Sequence, residues 1–306
     1  MQKTALPGSV PIDGWAVFLV LACCASWGMN QVAIKVANAG IPPMLQSGMR
    51  SVVSALLLLA WARVRGIPLF DRDGSLWAGV AAGAAFALEF LLLYQGLEWT
   101  TASRGVLFLY SMPFFVAIGA HLLIPGEKLT VIKVVGLVAA FCGLAIALGE
   151  GLIGGAGDGD LAGDILCIIA GFAWAATTIL IRTTALRFIS AEKVLFYQLA
   201  VSAPLMIGTS IVAGEGMPVF SDTRVVLAFG YTAVVVAFIS YVAWFWLLAR
   251  YSPSAMSVFT FLTPIFGAFA GVLVLGEAMT WRLLLALVLV ALGIYLVNRP
   301  SGAKVA

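Results

Sequence analysis

Ser103–Phe115, SRGVLFLYSMPFF, and Ser254–Phe266, SAMSVFTFLTPIF, align serine on serine and Pro113 on Pro264. Each is followed by a Gly-Glu pair, Gly126-Glu127 and Gly276-Glu277, with one residue of slippage. Upstream, WGMNQVAIK (27–35) matches WAATTILIR (174–182) at the same order in the chain. The chain therefore reads as two copies of one unit, and its fold follows from what that unit is.

Composition says what the unit is made of. Of 306 residues, 62% are hydrophobic and only 10% charged, with a mean hydropathy of +1.08. Soluble domains carry about 25% charged residues, and a water-soluble fold of this makeup would expose large apolar patches. A helix needs about 20 apolar residues to cross the hydrocarbon core. Runs of that kind fall near 15–37, 44–64, 75–97, 101–123, 131–149, 163–185, 192–213, 225–248, 254–275 and 281–298. The expectation is an all-α polytopic membrane protein of ten spans. Spans 1–5 occupy 1–149, an external linker 150–162, and spans 6–10 occupy 163–306. Five crossings is an odd number, so the second copy enters the membrane the opposite way up, a 5+5 inverted repeat.

Lys and Arg placement sets the orientation. With the N-terminus inside, Lys3, Arg63, Arg65, Arg72, Lys128, Lys133, Arg187, Lys193, Arg250, Arg299 and Lys304 are cytoplasmic, against Arg104, Arg224 and Arg282 outside. Both termini are then cytoplasmic, in a cell (inner) membrane. The first apolar run is too long for a signal peptide's core and stays as a span. The cysteines Cys23, Cys24, Cys142 and Cys167 lie in apolar runs without metal-ligand spacing and read as small packing residues. No basic cluster points to nucleic acid. No phosphate-binding glycine loop points to ATP or an ATPase subunit. No cofactor or metal is expected.

Inverted repeats have a mechanical use. Secondary transporters of this build bind substrate between the halves near the midplane and rock them for alternating access. The ten spans, the paired serine-to-proline motifs and the Gly-Glu turns resemble the drug/metabolite transporter superfamily, in its EamA-type branch of ten-helix exporters. The general run of the chain is most like aromatic amino-acid exporters of the YddG type. The resemblance implies a central cavity lined by spans 1, 3, 4, 6, 8 and 9, with spans 5 and 10 peripheral. It implies export of small organic solutes, amino acids with aromatic or other apolar side chains first among them. Passive facilitation, or export of other metabolites or drugs, is the alternative on the same scaffold.

Within that frame Glu89 stands out, a carboxylate in AFALEFLLLYQ (85–95) with apolar neighbours on both sides. Intramembrane acids are costly and usually face interior cavities. Its repeat mate is the neutral Ser240. It either meets a substrate ammonium, exchanges a coupling proton, or locks helices together. Lys35 and Arg182 are mates near the ends of spans 1 and 6. They are candidate charge partners for Glu89 or a substrate carboxylate, or they snorkel to headgroups.

Trp27 and Trp174 are symmetry mates on spans 1 and 6, Tyr110 precedes Pro113, and Trp244 lies one turn from Ser240. Such rings either line a cavity, where they stack on an apolar substrate and attract its cation, or pack helices. Asn30 and its mate Thr177 either bond substrate or join helices. Pro113 and Pro264 are candidate hinges or static kinks. Trp61, Trp77 and Trp281 read as interface anchors, and Gly79 and Gly83 as close-packing residues. GDGD (157–160) carries the G-x-G-D pattern of intramembrane aspartyl proteases, but it falls in the external linker. His121 has no nucleophile motif or metal partner, so an enzyme has little to build from.

Overall fold

The structure is a computed structural model and describes residues 13–124, 129–153, 161–251, 256 and 259–298. Gly126-Glu127, Ser254, GDGD at 157–160, Lys3, Lys128, Arg299 and Lys304 lie outside the described residues. Every regular element among the described residues is helical. Seven helices are long and apolar enough to cross a membrane, and three shorter apolar helices accompany them.

In chain order, spans 1 to 3 are Gly14–Asn38, Pro43–Arg65 and Leu76–Trp99. Span 4 is two helices, Ala102–Leu109 and Met112–Leu123, and span 5 is Val131–Ile153. Spans 6 and 7 are Leu161–Thr183 and Ala191–Val212. Span 8 runs Thr223–Gly230, then a π-helix over Tyr231–Ser240, then Tyr241–Arg250. Span 9 is Leu262–Leu275 after a 3-10 turn at Phe259–Phe261, and span 10 is Trp281–Asn298. Local chemistry sets many of the ends. Asp13, Thr101, Ser190 and Asp222 each accept a backbone N–H at a helix start, while Gly66, at φ 66°, ends span 2 in the left-handed conformation.

The packing maps onto itself when the two halves are exchanged. Span 1 lies along span 9 as span 6 lies along span 4, and span 3 packs on span 6 as span 8 packs on span 1. Spans 2 and 7 meet each other, as do 4 and 9, and 5 and 10. Ser202 donates to its mate Ser51 at 3.2 Å where spans 2 and 7 meet. Two four-span bodies result, spans 1, 2, 8 and 9 against spans 3, 4, 6 and 7, with the 5–10 pair alongside. Each body draws on both halves of the sequence.

Small residues allow the close approaches. A Cβ on Gly79 or Gly83 would collide with Tyr197 or Val201 of span 7, so the close-packing reading of these glycines describes their setting. One on Gly28 would sit 2.6 Å from the backbone nitrogen of Gly267 in span 9. Trp77 and Trp281 are exposed, as membrane anchors are.

The connection between spans 2 and 3 is tied to span 7. Lys193 Nζ donates to Asp71 O and to Asp73 Oδ2, both at 2.7 Å. With Ser75 also donating to it, the lysine holds the Asp73 carboxyl well below the usual aspartate range. A depressed folded pKa contributes stability that is present above the unfolded value, about 3.9, and is lost as pH falls through the folded value. Asp73→Asn is therefore expected to lower the unfolding temperature in detergent at pH 7, and the gap from wild type should shrink under strong acid. A gap that stays constant down to pH 2 would sink this assignment.

Candidate functional site

A cavity of about 490 Å³ lies between the two bodies, within the roughly 300–1,000 Å³ usual for small-molecule sites. Glu89 projects into it from the middle of span 3 and is 3% exposed. Trp27 and Asn30 reach it from span 1, Tyr110 from the break in span 4, Trp174 and Thr177 from span 6, and Trp244 from span 8. Seven of the eight residues predicted to meet substrate thus share one cavity wall. The eighth, Ser240, stands behind it. Its hydroxyl accepts from Trp27 Nε1 at 2.8 Å and donates to Val236 O, so it orients the indole.

The rings form two edge-on pairs. Trp27 meets Trp244 edge-on at 5.3 Å between centroids, and its mate Trp174 meets Tyr110 edge-on at 5.7 Å. Edge-to-face contacts of this kind fix ring orientation as well as bury area. Phe86, Phe90, Tyr241 and Phe245 complete an aromatic surround.

Several expectations need correction. Lys35 does not reach Glu89. Its ammonium donates to Leu97 O at 2.8 Å and Thr100 O at 2.6 Å, binding carbonyls at the end of span 3 that have no intrahelical donor. That use is also not snorkelling. Its mate Arg182 is exposed in the last turn of span 6 and is not part of the cavity wall. Pro113 and Pro264 bend no continuous helix. Pro113 is the second residue of the helix that follows the break at Tyr110–Ser111, and Pro264 the third residue of its own. In a first turn the missing N–H has no intrahelical acceptor to lose. Span 9 contributes no described residue to the wall, whereas spans 2 and 7 do, through Arg50, Val194 and Gln198.

Arg50 is the charged cavity residue that sequence reading passed over. It is 1% exposed, donates from Nε to Thr232 O at 3.4 Å, and lays its guanidinium 4.2 Å from the centroid of Phe90. Thr232 lies in the π-helix of span 8. That wider turn frees carbonyls from their usual α-helical partners, and π segments cluster at functional sites. Ser54, one turn beyond Arg50, likewise donates to Ala233 O at 2.9 Å. The available signal was Arg50 itself, a second charge inside an apolar run.

The cavity reaches the connection between spans 6 and 7, where Leu186, Arg187, Ile189 and Ala191 line it and Arg187 is exposed. At the other end Ile34, Ala37, Ile41, Leu97 and Thr100 are buried. There span 1 touches spans 3 and 4, while the mate contacts of span 6 with spans 8 and 9 are not comparably developed among the described residues. Among the described residues the two ends of the cavity therefore differ.

An all-helical membrane fold, two bodies related by an inverted repeat, and a polar-centred aromatic cavity open at one end define a transporter, not an enzyme. The EamA-like transporter family matches residues 14–149 and 161–299. The chain belongs to that family, which is consistent with the drug/metabolite transporter superfamily. It is similar to a probable amino-acid metabolite efflux pump of Escherichia coli, 26% identical over 93% of this chain and 94% of that one. It is also similar to an uncharacterized transporter of Archaeoglobus fulgidus, 25% identical over 88% of this chain and 92% of that one. A solved crystal structure shares the fold at a TM-score of 0.66 and 17% identity, covering 93% of this chain and 96% of that one.

Proposed function

We propose that the protein exports amino acids with aromatic or other apolar side chains from the cytoplasm by alternating access. The observation that carries this reading is a buried carboxylate, Glu89, set in an aromatic cavity between the two four-span bodies. A carboxylate there suits an ammonium group, and the rings suit an apolar side chain. The E. coli relative's description as a probable amino-acid metabolite efflux pump supports the same class.

Alternating access is supported by the asymmetry of the ends. Rocking the bodies would exchange the closed contacts of span 1 with spans 3 and 4 for their mates, span 6 with spans 8 and 9. The two sequence halves, 1–149 and 163–306, would thereby swap roles at each turnover. The positive-inside balance puts the open 6–7 end in the cytoplasm, with both termini on that side of an inner membrane. Pro113 and Pro264, each beside a break or turn at the start of a helix segment, are proposed as the flexible points of spans 4 and 9.

Purified protein in liposomes loaded with radiolabelled phenylalanine provides the test. An imposed pH gradient is expected to move the amino acid uphill. Movement only down its own gradient would identify a passive facilitator, and no movement of phenylalanine, tryptophan, leucine or methionine would overturn the reading.

A further inference from the structure

We infer that Arg50 and Glu89 are the two poles of a clasp for a zwitterion, with Arg50 holding the substrate carboxylate and Glu89 the ammonium. This rests on the reading that the cavity is where the solute binds, and it adds the head-group chemistry that the solute must carry.

The two charges face the same cavity from different bodies, Arg50 from span 2 and Glu89 from span 3. Arg50 and Glu89 nevertheless form no ion pair with each other. Each is left incomplete. Glu89 Oε2 and Arg50 Nη1 are buried without a hydrogen-bond partner, as is Asn30 Oδ1 on the same wall. Unsatisfied polar atoms in an apolar interior are costly, charged ones most of all. If the pair served only to hold helices together, the side chains would close into a hydrogen-bonded salt bridge, the arrangement that best offsets their desolvation.

Arg50 is instead held away from Glu89. Its Nε is committed to Thr232 O and its face to the Phe90 ring, the Tyr94 hydroxyl lies close by, and Nη1 is left without a hydrogen-bond partner. A guanidinium presented this way matches a carboxylate. An α-amino acid placed between the poles would satisfy both charges at once. Its side chain would then project toward the ring pairs of Trp27 with Trp244 and Tyr110 with Trp174. A plain amine would leave Arg50 unsatisfied, and a plain acid would leave Glu89 so. A site built to bond a group discriminates strongly against the analogue that lacks it. Symmetry supports the assignment. The mates of the two residues, Val201 and Ser240, carry no charge, so the head group would have one polarity of docking rather than two. Because the poles sit on opposite bodies, an occupied clasp would also bridge the parts that move.

The test uses three probes that share one ring: phenylalanine, phenethylamine and 3-phenylpropionate, with leucine as a second zwitterion. Binding to the purified protein is measured by calorimetry. Wild type should prefer phenylalanine over each of the other two ring probes by at least about tenfold. Arg50→Gln should abolish the preference over phenethylamine while retaining that over 3-phenylpropionate, and Glu89→Gln should do the reverse. Arg50→Lys, which keeps the charge but not the fork, should fall between and guards against a glutamine variant that fails to fold. Phenethylamine binding as tightly as phenylalanine to wild type would overturn the clasp while leaving the cavity as the solute site. The same holds if Arg50→Gln leaves the ratios unchanged. Failure of every probe to bind would overturn both the clasp and the amino-acid reading beneath it.

Discussion

Replacing Asp164 with alanine is expected to destabilise the protein by about 3–5 kcal/mol, the usual result of stripping one partner from a buried ion pair. Asp164, in the first turn of span 6, is 0% exposed, and its partner Arg104, in span 4, is 3% exposed. The guanidinium grips the carboxylate from Nε and Nη2 and also donates to Ala147 O in span 5 at 2.9 Å. Thr100 adds a hydroxyl to Asp164 Oδ1 at 2.6 Å. Spans 3, 4, 5 and 6 thus converge on one pair. Removing the carboxylate takes away the acid that grips the guanidinium from two of its nitrogens, in a medium that solvates charge poorly. Removing both charges, as Arg104→Met with Asp164→Leu, should recover most of the loss, because the apolar pair has no desolvation to offset. Thermal unfolding in detergent of the two single variants and the double variant measures this. A loss below about 1 kcal/mol for Asp164→Ala would instead place the pair among solvent-screened ones.

Lys35→Met is expected to act on conformation more than on stability. The ammonium links span 1, in one body, to the last carbonyls of span 3, in the other, at the closed end of the cavity. Each charge-assisted bond contributes about 1.5–3 kcal/mol, and a cation also suits a helix C-terminus. Methionine keeps comparable bulk and loses the donor. Opening at this end should become roughly tenfold more populated, equivalent to about 1.4 kcal/mol. A cysteine at Thr101, in a chain whose four native cysteines are replaced by alanine, reports the change. It should react faster with a membrane-impermeant maleimide when Lys35→Met is present. An unchanged rate would show that Lys35 only caps span 3.

These residues also mark how far sequence reading reached. Span limits were legible to within a few residues for nine of the ten spans, from 15–37 against Gly14–Asn38 to 281–298 against Trp281–Asn298. For span 9 the expected start near 254 lies outside the described residues, and the described helix runs Leu262–Leu275. The bilayer demands long apolar runs, and runs are a one-dimensional signal. The cavity was partly legible. Glu89, Trp27, Asn30, Tyr110, Trp174, Thr177 and Trp244 were found because a buried acid is conspicuous and symmetry mates draw attention to each other. Arg104 and Asp164 were not, since a charge at the edge of an apolar run looks the same whether it faces water or a buried partner.

What sequence alone determined is the number of helices, their repeat and the residues worth suspecting, all consequences of local composition and spacing. Tertiary structure alone decided the partners. It gave Lys35 to the carbonyls of span 3 rather than to Glu89, placed Ser240 behind Trp27, and brought Arg50 of span 2 into the cavity of Glu89. The physical reason is that a charge in an apolar medium is governed by the nearest group able to satisfy it, and that group is set by how helices distant in sequence cross.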